Sequence, residues 1–328
     1  MPSRLVAEVV EIKSLEKHPN ADSLSIVKVF DYPVIVRTED WKIGDKAVYV
    51  PTDTTVPNRE PFTFLFKEGE VGRARIKAKK LRGIFSMGLL VPTPGEFSVV
   101  RNNVGDNLAN YLGIEKYEPP VHFTSDAAPA PVGDIPKYTD IEHLRRYRHL
   151  LEGKQVIVTE KIHGTNARYV RIDGVLHCGS HNQWKKDSPT SVYWIAAREY
   201  KIEEFLKTLP EGCVLYGEVY GPVQELKYGT GGKVSFAAFD IYSPHKGRYL
   251  NVEEYIDAIA ISYVPSAPIV LAGLFDFDAT IAIAEDNSHI PGAGHMMEGV
   301  VVRPMDELWN EEIGRVILKL HSQRYLLK

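Results

Sequence analysis

Cysteine is almost missing from this chain of 328 residues: Cys178 and Cys213 are the only two, and they form no CxxC pair. That argues against a disulfide framework or a thiolate zinc site, favours a reducing compartment, and leaves the two thiols as small apolar fillers. An excess of one charge is lacking too. With 39 basic and 43 acidic residues the net charge is −4, so any pull toward nucleic acid has to come from local clustering. No apolar run approaches membrane-spanning length, and MPSRLVAEVVEIK meets acidic residues too soon for a signal peptide. A soluble, cytoplasmic protein with no membrane partner is expected. Internal repeats and low-complexity tracts are missing as well. What is present, 44% hydrophobic and 25% charged residues, is ordinary globular composition in a chain long enough for two domains, each with its own core.

Short β-branched runs fill the front of the chain. LVAEVVEI, LSIVKV, PVIVRT and KAVYVP are separated by HPNADS, DYP and KIGD, which predicts a small strand-rich barrel over residues 1–115. Cations gather in RARIKAKKLR: Arg73, Arg75, Lys77, Lys79, Lys80 and Arg82. On one strand, alternation would set several of them on a single face, where they could follow a phosphate backbone; the plainer reading is an edge strand kept soluble by charge. His18 in HPNAD reads as a turn residue rather than a metal ligand.

Residues 116–136 carry YEPPVHFTSDAAPAPVGDIP, whose density of Pro, Ala and Gly cannot sustain a helix or a central strand; a semi-extended linker is expected. Beyond it, residues 137–328 mix strands (QVIVTEK, ARYVRID, CVLYGEVYG, VSFAAFDIY, MEGVVVRP, RVILKL) with helices near 193–208 and 252–261. TDIEHLRRYRHLL predicts a further helix capped by Thr139 with Glu142 three residues on. Strand and helix alternate without a strict βαβ rhythm, so the fold class is α+β around antiparallel sheets. KYGTGGK lacks the spacing of a phosphate-binding loop and reads as a hairpin or mobile loop.

One lysine stands out. Lys161 ends a strand in IVTEKIHG, and the turn at Gly164 points its amine toward a cleft. A free lysine, with a pKa of about 10.4, is protonated at neutral pH and a poor nucleophile; it attacks phosphorus only after desolvation or nearby positive charge removes the proton. Later segments offer matching partners: Glu218 in LYGEVYG, Phe236, Phe239 and Asp240 in FAAFDIY, Glu298 in MEGVVVRP and Lys319 in VILKLHS. Together they supply an amine, two carboxylates for hydrated Mg²⁺, an aromatic plate and a phosphate-neutralising cation. Each segment alone is more often structural, and one of the two phenylalanines is expected in the core.

In order and spacing, EKIHGTN, YGEVYG, FAAFDIY, EGVVVRP and LKLHS resemble motifs I, III, IIIa, IV and V of the covalent nucleotidyltransferases, the DNA-ligase-type adenylyltransferase fold. EKIHGTN is most similar to ATP-dependent, nick-sealing RNA ligases of the RNA ligase 2 type. EKHPNADSLSIVKV and KKLRGIFSMGLLVP resemble OB-fold modules that bind tRNA, and an OB-like module ahead of the catalytic domain resembles a subgroup of RNA-repair ligases. The resemblance implies ATP, with Mg²⁺ or Mn²⁺, as cofactor and RNA with 3′-OH and 5′-phosphate ends, in a nicked duplex, as partner of a monomeric enzyme. Lys161 would carry AMP, Glu298 and Glu218 would hold metal or ribose, Phe239 would stack on adenine, and Lys319 would neutralise the α-phosphate. Glu160 would lie near the adenine edge, and His163 and Asn166 would contact ribose or phosphate.

The departures are specific. His163 stands where the wider superfamily has Asp, as RNA ligase 2-type enzymes do; His321 replaces a second motif V lysine; and GSHN gives Ser180 and His181 where motif Ia has arginine, leaving Arg168, Lys185 or Lys186 as substitutes. Two other functions stay open. A GTP-dependent mRNA-capping guanylyltransferase shares the lysine logic, but the stretch after Lys319 is expected to be too short for its downstream barrel. The replacements at His181 and His321 motivate the second, an RNA-binding protein with a vestigial pocket.

Overall fold

The structure is a computed structural model that describes residues 7–95, 102–117 and 126–326. The described residues fall into two compact units, 7–117 and 126–326.

In the first unit the β-branched runs form strands as their alternation requires. Glu8–Glu11, Lys46–Val50 and Leu89–Pro92 make one sheet; Glu16–Lys17, Leu24–Val29 and Tyr32–Arg37 make a second; Thr54–Pro57 is flanked by Glu115–Lys116 and Arg73–Ile76 in a third. Val27, Val34, Val48 and Val56 are fully buried among the inner faces. The single basic strand face does not form. Arg73–Ile76 and the hairpin of Lys79–Leu81 with Ile84–Ser86 are separate pieces in different sheets, so the six cations do not alternate along one strand. His18 is the turn residue expected, and its buried ring bonds the Leu81 carbonyl at 3.2 Å.

The second unit is built on two sheets. Seven strands run in the order Ala127–Ala128, Trp184–Lys185, Val175–Ser180, Thr165–Ile172, Val214–Tyr220, Ser235–Ser243 and Arg248–Tyr249, all antiparallel. Five more run Glu142–His143, Leu318–His321, Gly299–Pro304, Gln155–Lys161 and Ile269–Leu274, where only the first pair is parallel. The Pro/Ala-rich stretch is not free over its whole length: Ala127–Ala128 is an edge strand, and the Pro136 carbonyl accepts from Tyr216 Oη at 2.7 Å.

The helix expected from Thr139 is replaced by the short strand Glu142–His143, a single helical turn at Leu144–Tyr147 and a 3₁₀ turn. Parallel pairing with Leu318–His321 takes residues 142 and 143 for the sheet, so helix starts only after His143 and without a side-chain cap. Helix 193–208 is divided at Lys201, which sits at φ 49°, into Val192–Glu199 and Ile202–Lys207. Val252–Ala260 forms with a full capping box from Asn251 and Glu254.

Candidate active site

Strand register assembles the site. Lys161 pairs with Gly299, and Gly299 pairs with His321, so Lys161, Glu298 and His321 meet across three neighbouring strands. Two residues along the same ladder, Val301 lies between Thr159 and Lys319, and Lys319 pairs with His143. In the other sheet Asn166 pairs with Glu218. Two glycines permit the close approach. A Cβ on Gly164 would stand 2.2 Å from the Val219 carbonyl, and one on Gly299 would stand 2.1 Å from the Leu320 carbonyl.

A cavity of about 280 Å³ collects these side chains: Lys161, Asn166, Glu218, Phe239, Tyr138 and Arg303 are among its lining. Phe239 faces it because of a β-bulge. Tyr216 pairs with Asp240 and Gly217 with Ala238, which leaves Phe239 as the extra residue, aimed away from the ladder. Phe236 is instead fully buried in the core with Ala238 and Ile241, so one phenylalanine is core and the other lines the cavity.

The Lys161 ammonium donates to Glu298 Oε1 at 2.6 Å. Burial pulls its pKa down, but the Glu298 and Glu218 carboxylates outweigh burial and the net shift is upward. The chain's own groups therefore hold the amine charged, and a discharging influence has to come with a ligand. Glu298 is buried and yet its pKa lies well below the usual range: burial pushes it up, and Lys161, His163 and His321 more than reverse that. His163 Nδ1 donates to Glu298 Oε2 at 3.3 Å, and His321 Nε2 lies 3.6 Å from Oε1. Glu218 goes the other way, to about 8, chiefly because burial penalises its charge, with Lys161 and the Gly164 N–H opposing.

The remaining expected residues are placed as follows. Glu160 lines the cavity, but its carboxylate accepts from Ser288 Oγ (2.6 Å) and the His289 N–H (2.8 Å). Lys319 is half-buried on the strand face shared with His321; burial first, then Lys319 and His321, hold the His143 pKa well below its ordinary value. Arg168 is buried over Trp184 at 4.2 Å and reaches the Ile135 and Pro136 carbonyls; Lys185 is buried on Asp126 at 3.0 Å; Lys186 is exposed.

Several contributors carried no sequence signal. Tyr138 meets Phe239 edge-on at 4.8 Å, the Tyr228 hydroxyl accepts from the His163 N–H at 2.6 Å, and the Tyr325 hydroxyl lies 3.3 Å from His163 Nδ1. Arg303 stood inside a quoted motif but had no assigned role. Its Nη1 donates to the fully buried Asp240 at 3.0 Å, whereas Nε and Nη2 have no partner among the described residues.

The family model described as RNA ligase matches residues 154–321, more than half of the chain. The chain belongs to the RNA ligase family. An OB-fold domain model matches residues 6–93 of this RNA ligase, in agreement with the expected front module and α+β fold. Among solved structures, the Naegleria gruberi RNA ligase with PPi is 24% identical over 99% of this chain and 98% of that one, with a TM-score of 0.79. A lysine-to-alanine mutant of the same enzyme with ATP and Mn is 23% identical over 98% of each chain at a TM-score of 0.80, and the apo mutant of Naegleria gruberi RNA ligase R4a is 22% identical over 98% of each at 0.80. Comparison with curated proteins finds no match. Among the described residues of this RNA ligase, no helix is long and apolar enough to cross a membrane.

Proposed function

We propose that this RNA ligase uses ATP, carries AMP on Lys161, and seals 3′-OH to 5′-phosphate ends in nicked RNA, as a repair enzyme. The observation that carries the reading is the Lys161 amine, 2.6 Å from Glu298 in one cavity with Glu218 and Phe239. The solved Naegleria gruberi complexes with ATP, AMP and Mn support it.

The donor set fits a divalent cation and a nucleotide. Among the described residues no group of three or more His, Cys, Asp and Glu side chains could cage a metal. Glu298 and Glu218 are instead two carboxylates facing one ammonium, which suits Mg²⁺ or Mn²⁺ held by one or two carboxylates, water and substrate phosphate. Such an ion spreads phosphate charge and adds positive charge beside Lys161. The buried Oδ1 of Asn166 has no partner among the described residues and is available to a nucleotide hydroxyl.

The chemistry is three in-line displacements at phosphorus. Lys161 Nζ, once deprotonated, bonds to the α-phosphorus while the bond to pyrophosphate breaks. The RNA 5′-phosphate oxygen then displaces Lys161 from AMP, and finally the 3′-OH displaces AMP, losing its proton as the phosphodiester forms. Phe239 stacks on the base and Lys319 faces the α-phosphate. Of the cations offered for the RNA 5′-phosphate, Lys186 is the exposed one, whereas Arg168 and Lys185 are buried on partners.

Incubation with α-labelled ATP and Mg²⁺ is expected to label the protein at Lys161 and to leave Lys161→Ala unlabelled. Equal labelling of the two defeats the reading. Preference for GTP would point to capping chemistry, and RNA binding without any label to a vestigial pocket.

A further inference from the structure

The six front-end cations fall into two groups. Arg73 bonds Thr55 and the Gly113 carbonyl and pairs with Glu115; Arg75 pairs with Asp53 at 2.6 Å and lies 3.8 Å over the Tyr117 ring. These two brace their own unit. Lys77, Lys79, Lys80 and Arg82 are exposed, and their side chains make no hydrogen bond or ion pair among the described residues.

Three of the four sit on one hairpin. Lys79–Leu81 pairs with Ile84–Ser86 in the register Lys79↔Ser86, Lys80↔Phe85 and Leu81↔Ile84. The loop is two residues, Arg82 at φ 48° and Gly83 at φ 95°, the signs of a type I′ turn. Glycine takes such an angle freely, whereas arginine in the left-handed region is unusual and strained, held only where the surroundings fix it.

The surroundings do fix it. The Asn20 amide donates to the Arg82 carbonyl at 2.9 Å; buried His18 bonds the Leu81 carbonyl through Nε2, and its Nδ1 accepts from the Asn20 N–H at 3.0 Å. At the other end Ser86 Oγ accepts from the Ile35 N–H at 2.9 Å. The HPNAD turn thus clamps the LRG turn.

Successive strand residues face opposite ways, so Lys79 and Lys80 project from opposite faces of a two-stranded blade with Arg82 at its tip. A single strand tracked along one face would need its cations on that face. Cations on both faces meet phosphate on both sides, which is what two nucleic-acid strands flanking a groove provide.

We propose that the 79–86 hairpin is a wedge for double-stranded RNA, contacting one backbone through Lys79 and the other through Lys80, with His18 and Asn20 as its positioning residues. This rests on the reading that the front unit binds RNA.

The test uses the full chain with a labelled blunt RNA duplex and the single strand of the same sequence, over a range of salt. The duplex is expected to bind more tightly. Lys79→Glu and Lys80→Glu should each weaken duplex binding about fivefold or more and lower the salt slope by about one. Asn20→Ala, which keeps every cation, should also weaken the duplex. Single-strand binding equal to or tighter than duplex, or a reversal on only one face mattering, overturns the wedge; unchanged affinity in Asn20→Ala overturns the clamp. If neither reversal alters binding of either probe, the RNA-binding reading of the front unit is what fails.

Discussion

A lysine held charged by two acids is the central residue-scale feature. Glu298 is buried and Glu218 half-buried near the same ammonium, but Glu298 also has two imidazoles, and their pKa values move in opposite directions. Folding raises the Glu218 carboxyl from 4.5 to about 8, so its contribution is fully present below about pH 4.5 and is lost as pH climbs through about 8. Folding lowers Glu298, so its contribution is present at neutral pH and lost on acidification. Glu218→Gln in nucleotide- and metal-free protein should therefore raise the thermal midpoint above pH 8 by about 2–4 °C, the equivalent of roughly 1 kcal/mol in a unit of this size, and change it little at pH 5. A drop at the higher pH would mean that Glu218 is ionised at no cost.

Among the elements, the bulged strand Ser235–Ser243 does two jobs. The bulge turns Phe239 toward the cavity, and the next residue, Asp240, anchors the wall behind it. The fully buried Asp240 accepts from Arg303 at 3.0 Å, Arg315 at 2.6 Å and Tyr138 Oη at 2.9 Å, while Arg315 also reaches Glu307. Asp240→Ala would leave two buried guanidiniums without their shared anion and should cost about 3–5 kcal/mol in urea unfolding. A loss under about 1 kcal/mol would show that Glu307 alone holds the cluster. The expected helix at residues 139–151 failed for an equally local reason: its Thr/Glu cap signal was real, but a sheet edge at Leu318–His321 competed for the same backbone. Pairing partners far along the chain are invisible to a local cap pattern.

At the scale of the whole molecule, the two units carry separate cores, and the proposed adenylation site and the proposed RNA contacts fall in different units. Reversing Lys79, Lys80 and Arg82 together should therefore reduce sealing of nicked RNA much more than formation of the lysyl-AMP adduct. Equal loss of both, measured in parallel on one preparation, would mean that the front unit only supports the fold. The ordered motifs, the lysine and the two carboxylates that meet at the cavity, and the strand sequence around each could be read directly from the chain, because periodicity and a short motif are local properties. So could the α+β class and the front OB module. The tertiary structure alone decided which of two phenylalanines meets the cavity, that Arg73 and Arg75 are braces while Lys79 and Lys80 make no side-chain hydrogen bond or ion pair among the described residues, and that Tyr138, Tyr228, Tyr325 and Arg303 join the candidate site. The phenylalanine choice depends on a bulge, where a one-residue change sends a side chain to the opposite face of its sheet; the tyrosines join through contacts between residues far apart in the chain, as His163 does with Tyr228 and Tyr325.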